Sequence, residues 1–196
     1  MKTKAIFIWI FVAVMAVAWG AASLGLAQEE DDFEWLDEIA KPGPEHKRLD
    51  ALVGSWNAKI KLYAGENDTD PAVLNGITER KWVVGGRYLE EISENPTDTG
   101  VFIGRAYWGF NRATALYEFV WMSTEDVGIS LEYGRFDPTT NVLRTSGGTV
   151  DPATGFYIQS RSELKINSPD SQTLVVYETE EDGREYKSVE ITWTKK

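Results

Sequence analysis

From Ser55 onward the chain alternates. Trp56, Ala58, Ile60 and Leu62 are separated by Asn57, Lys59 and Lys61, the period-two pattern of a strand with one face toward a core. Turn-forming stretches then recur at short intervals: GENDTDP, the glycine pair at 85–86, ENPTDTG, FNRAT, STEDVG, DPTTN, DPATG, NSPDSQ and EEDG. Between them lie runs rich in aromatic and β-branched residues, among them VFIGRAYWGF, ALYEFVW, TLVVYET and SVEITWT. The pattern predicts ten strands, over 55–63, 73–84, 86–94, 100–110, 115–123, 128–136, 142–150, 155–166, 172–180 and 184–194.

Short links between successive strands favour antiparallel neighbours, and no helical pattern is available for parallel crossovers. Ten up-and-down strands would expose two unpaired edges unless the sheet closed on itself. The expected fold is therefore all-β: an antiparallel up-and-down ten-stranded barrel with a short N-terminal helix. A two-sheet sandwich is the alternative, but its Greek-key connections need longer links than these.

The helix is expected just before the first strand. Pro44 stands where a helix can begin, and Leu49, Leu52 and Val53 give the following turns an apolar side. Pro44 to Val53 is therefore expected to be helical, with Gly54 as its left-handed cap. Further upstream, Gln28 to Glu38 carries seven acidic residues and no basic one. That composition predicts a flexible lead over 28–43, with the barrel domain over 44–196. Residues 1–27 have the layout of a signal peptide: Lys2 and Lys4, then no charge from Ala5 to Ala27, then cleavage before Gln28. A retained anchor is the alternative, because the uncharged run is long enough to span a bilayer. Either way the expected location is outside the cytoplasm, periplasmic or extracellular once the segment is cleaved.

Charge then removes several partners. The chain carries a formal net charge of −11, and cleavage would remove two further lysines. Such a surface repels phosphate backbones and anionic lipid, so no nucleic acid is expected, and no membrane contact beyond the signal segment. With no cysteine, disulfides, thiol catalysis, thiolate metal sites and a lipid-bearing thiol are all excluded. One histidine leaves too few ligands for zinc or copper, and neither ENDTD nor EEDG has the ligand spacing of a calcium loop. No metal and no cofactor is expected. The lone His46 belongs to the helix before the first strand, where capping that helix is its expected task. No catalytic residue is expected either: Ser55 lacks a nucleophile elbow, and the adjacent Glu90 and Glu91 must point to opposite faces of a strand.

At this point the chain resembles known proteins. Gly54-Ser55-Trp56 looks like the Gly-x-Trp that opens the lipocalin and calycin barrels. A broader pattern joins PGPEHKRLDALVGSW, GGRYLEE at 85–91, GFNRATALYEFVWMSTEDVG at 109–128 and EYKSVEITWTKK at the end. It is similar to a bacterial family of calycin-like barrels known only as a domain of unknown function. The resemblance implies a lipocalin-like barrel whose tryptophan plugs the closed end, and it implies no activity. In lipocalins a basic residue of the last strand covers that indole. Here the last strand ends in Lys195 and Lys196, and its nearest arginine, Arg184, stands at its start.

Charged residues also fall inside apolar strand segments, at Arg80, Arg87, Arg105, Arg161, Glu178 and Glu190. Arg105, beside Ala106, Tyr107 and Trp108, is the expected lumen group, paired with Glu90, Glu178 or Glu190. These residues suggest a cup for a small hydrophobic or amphipathic ligand. Arg87 or Arg105 would be the polar anchor, and Tyr107, Trp121 and Tyr133, with Trp82 and Trp108, the aromatic lining. The alternatives are an isomerase or cyclase working in the same cavity, and a filled barrel with a structural role.

Overall fold

The alternation becomes a closed wall. The computed structural model describes residues 38–196 apart from 99, 152, 153 and 181. The expected signal segment, and the acidic lead as far as residue 37, lie outside the described residues. Ten strands follow one another: β1 (Gly54–Leu62), β2 (Ala72–Val83), β3 (Tyr88–Thr97), β4 (Gly100–Asn111), β5 (Leu116–Ser123), β6 (Ser130–Asp137), β7 (Val142–Val150), β8 (Tyr157–Ser168), β9 (Ser171–Thr179) and β10 (Glu185–Lys195). Each pairs antiparallel with its neighbours in sequence, and β1 also pairs with β10, so the barrel closes without an edge.

Two expectations need correction. The segment before β1 is not one helix. It is α1 (Pro44–Arg48) followed by a 3-10 turn over Leu49–Leu52. Val53, with extended backbone, caps that turn, and Gly54 is already the first residue of β1, at φ +127°. The third strand also starts two residues later than predicted. Val84–Gly86 forms a 3-10 turn with φ of 49°, 63° and 79°, left-handed backbone that cannot continue a strand.

Paired residues share a face, so the inner surface can be followed around the wall. At the closed end it is dense. Leu49, Leu52, Trp56, Leu89, Trp108, Tyr117, Leu143, Leu164 and Trp193 are buried in one apolar cluster. Full burial of each large apolar side chain is worth about 1.5–3 kcal/mol, so this cluster holds much of the fold. Three bonds fix the entering chain to it. Trp56 Nε1 donates to Leu52 O at 2.9 Å, Tyr117 Oη to Glu45 O at 3.0 Å, and Gln172 Nε2 to Ala51 O at 2.7 Å. Lys195 Nζ lies 5.5 Å from the Trp56 ring centre, so the last strand does supply a cation there.

Candidate functional site

The inner wall divides into a packed floor and a less buried upper cup. At the floor sits a charged pair. Arg80 Nε donates to Glu91 Oε2 at 2.7 Å, with both side chains buried. Arg80 Nη1 donates to Gln172 Oε1 at 2.9 Å, and the guanidinium lies 4.2 Å over the Trp193 ring. Trp108 Nε1 and Ser93 Oγ both donate to Glu91, at 3.1 Å each. Trp193 Nε1 donates to Thr78 Oγ1 at 3.0 Å, which shares a 2.9 Å bond with Ser93 Oγ. The charge is neutralised within the pair and most polar atoms are occupied, as a buried ion pair requires. This is a structural lock.

Above the floor the wall changes character. Phe119, Trp121, Leu174 and Ile191 face inward but are only half-buried, and Leu62 at the rim is exposed. Among the described residues no helix or strand crosses the mouth. Phe102 stacks on Trp121 with ring centres 6.3 Å apart, and Phe119 lies 4.2 Å from Trp108. One side of the cup is thus aromatic.

The other side holds a carboxylate. Glu132 is 4% exposed and accepts from Ser160 Oγ at 2.9 Å, Ser162 Oγ at 3.1 Å and Thr145 Oγ1. No cation pairs with it among the described residues. The bond to Ser160 spans two strands, and glycine makes that reach practicable. Gly147 is the residue paired with both Glu132 and Ser160, so no side chain stands between them. Glycine is also required there by close approach: a Cβ at Gly147 or at Gly134 would fall 1.8 Å from a carbonyl oxygen of the facing strand.

The pairing row continues to the mouth. Ser160 pairs with Glu178 and Glu178 with Tyr186, whose Oη donates to Glu178 Oε2 at 3.0 Å. Burial, then the Glu178 charge and that bond, push the Tyr186 phenol up to about 12. In the other direction Glu132 pairs with Phe119 and Phe119 with Trp108. Aromatic rings, a buried carboxylate, a hydroxyl, a second carboxylate and a phenol therefore form one band around the inner wall.

The five residues expected to bind ligand are not together. Trp121 faces the cup. Arg105 and Tyr107 flank the buried Ala106 and so project from the outer wall, where both meet Glu90: Arg105 Nη1 at 3.6 Å and Tyr107 Oη at 3.0 Å. Lys81 joins them at 3.3 Å from Glu90, on the rim of an outer-wall recess of about 200 Å³. Tyr133 follows Glu132 on β6 and points outward, 47% exposed. Arg87 ends the turn between β2 and β3 at the closed end. Of the wider aromatic set, Trp82 and Trp108 face inward, Trp82 donating to Asp50 Oδ1 at 2.7 Å. His46 is at the floor as well. Its Nδ1 accepts the Gly43 N–H at 3.0 Å, and burial holds its pKa below the ordinary 6.5.

Sequence reasoning missed Glu132 for a physical reason. In the segment SLEYGRF the apolar residues point the wrong way: Leu131 and Tyr133 are exposed while Glu132 is buried. The signal that could have found it is the register. Counting pairs around the wall from Trp56 puts Glu132 inside, whatever its polarity.

Comparison with known proteins agrees with the architecture. A family model described as "Protein of unknown function (DUF1579)" matches residues 41–195. No protein with a curated description matches the chain. Among solved structures, the crystal structure of Rv2717c from M. tuberculosis is 14% identical, with a TM-score of 0.62 over 80% of this chain and 99% of that one. A de novo designed fluorescence-activating beta barrel is 16% identical over 76% of this chain and 96% of its own, with a TM-score of 0.40. At 14% identity the likeness to the crystal structure is one of fold.

Proposed function

The chain belongs to the DUF1579 family, and from its own geometry we propose that its barrel is an open cup for a small hydrophobic or amphipathic molecule. The observation that carries this reading is the pair of levels on the inner wall. The floor is packed around a neutralised ion pair, whereas Phe119, Trp121, Leu174 and Ile191 above it are inward-facing and only half-buried. Apolar surface held open above a rigid base, with a few polar groups converging on it, is the usual form of a ligand pocket. Of the residues read from sequence, Trp121 belongs to that lining, with Phe102 stacked on it.

The reading includes place and style. It makes this a lipocalin-like cup working in the periplasm or outside the cell, supported by the charge-free run from Ala5 to Ala27 behind Lys2 and Lys4. Native mass spectrometry of the protein purified from its own envelope tests both parts. The expected result is a chain beginning at Gln28 that carries an extra mass lost on denaturation. A bare mass, unchanged after exposure to a lipid extract, would overturn the cup and leave a filled barrel.

A further inference from the structure

The inner wall carries more negative charge than its own residues balance. Followed strand by strand, its inward positions among the described residues hold two cations, Arg80 and Lys195, both at the floor, and three carboxylates, Glu91, Glu132 and Glu178. Arg80 is committed to Glu91 at the floor. Glu132 is left with three hydroxyl donors, and Glu178 with one phenol. Hydroxyls orient a carboxylate and soften its desolvation, but they do not cancel its charge. Thr149, inward on β7 nearer the mouth, adds an enclosed Oγ1 with no hydrogen-bond partner among the described residues.

The surroundings of Glu132 match one ligand chemistry. Phe119 is its cross-strand partner and Trp121 lies two residues further along the same strand, so aromatic side chains neighbour the carboxylate on the inner wall. A π face and an uncancelled carboxylate both attract a cation and both disfavour an anion. The position also breaks the local pattern at a cost, since an exposed Tyr133 and a buried Glu132 invert the polarity a plain strand would have. Such inversions persist where function requires them.

Resting on the cup reading above, we propose that the ligand is an apolar body bearing a protonated amine. Its ammonium sits at the Ser160 level between Glu132 and Glu178, and its tail lies against Trp121 and Phe102. The cup rejects carboxylates of the same shape.

Calorimetric titration of the purified protein at pH 7 with octylammonium, 1-octanol and octanoate tests this directly. The expected order is octylammonium first, roughly tenfold or more ahead of octanol, with octanoate last. In Glu132→Gln the ammonium advantage over octanol falls to about threefold or less. Glu178→Gln lowers the advantage by a smaller factor, and it provides the charge test if Glu132→Gln fails to fold. Octanoate binding as tightly as octylammonium to the wild-type protein would overturn the proposal with no variant needed. An advantage that survives unchanged in both variants would overturn it too. Binding of octanol with no charge preference sinks only the amine assignment; no binding by any of the three sinks the cup itself.

Discussion

Glu91 and Glu132 face the same lumen, are buried to the same degree and both accept several hydrogen bonds. Only Glu91 has a cation. Its partner Arg80 lies between it, Gln172 and the Trp193 ring, deep under the apolar floor. Glu132 has three hydroxyls and an aromatic neighbour, at the level where the wall opens. The contrast separates a carboxylate that serves the fold from one the fold merely tolerates. A neutralised pair inside a packed shell offsets its own desolvation, and removing one partner exposes that cost. An uncancelled charge beside open apolar surface has value only when something else binds there.

The largest effect should come from breaking the floor. Arg80→Met leaves Glu91 buried and unpaired, and stability should fall by about 3–5 kcal/mol in urea denaturation. The double variant Arg80→Met with Glu91→Leu should recover a good part of that loss, because both charges are then gone. Glu132→Gln should change stability by no more than about 1 kcal/mol in either direction. Equal losses from Arg80→Met and Glu132→Gln would erase the distinction between the two sites.

A second measurement sharpens the cup side. A Cβ at Gly104 would lie 2.1 Å from the tip of the Trp121 indole, which lies across that glycine. Gly104→Val should displace the ring into the lumen at a stability cost of about 1–3 kcal/mol, with roughly tenfold weaker octanol binding. Unchanged binding would mean that Trp121 is not part of the lining. Thr145→Val, smaller still, removes one of three donors to Glu132 and should cost about 1.5 kcal/mol, while ammonium binding strengthens as the carboxylate is less satisfied. Weaker ammonium binding would show that the hydroxyls position the carboxylate instead of competing for it.

How far the sequence reached follows the same division. Strand number, turn positions and barrel closure were legible because period-two patterning and turn chemistry are local signals, and the predicted strands match β1 to β10 within about three residues. The floor was half legible. Trp56 announced itself, whereas Arg80 stood among several arginines in strands and only pairing with Glu91 distinguishes it. Arg105 was chosen for its aromatic neighbours, but alternation gives it the face opposite Ala106 and Trp108, which fill the inside. The cup was the least legible part. Its carboxylate meets hydroxyls from β7 and β8, at Thr145, Ser160 and Ser162, none of them near it in sequence. No local pattern encodes a contact that depends on register across three strands.

The smallest expected effect tests whether floor and cup are independent. His46 is the only histidine and sits at the floor, where burial lowers its pKa, Glu45 pulls it back up, and Arg112 and Arg87 add to the depression. The neutral ring accepts the Gly43 N–H through Nδ1, which protonation would forbid. As pH falls below about 6.5 the unfolded chain takes up this proton first. The stabilisation is therefore complete above that value and is lost as pH falls through the lower folded-state pKa. His46→Asn keeps an acceptor without titrating, so its melting temperature should fall less than the wild type's between pH 7 and 5. Carboxylates titrate alike in both proteins and cancel in the difference; parallel curves would mean that His46 is not the group responsible. Octanol affinity should stay level over the same interval, since its site shares no hydrogen bond with α1. Affinity that declined in step with the melting temperature would show that the floor sets the shape of the cup, and the two regions would have to be treated as one.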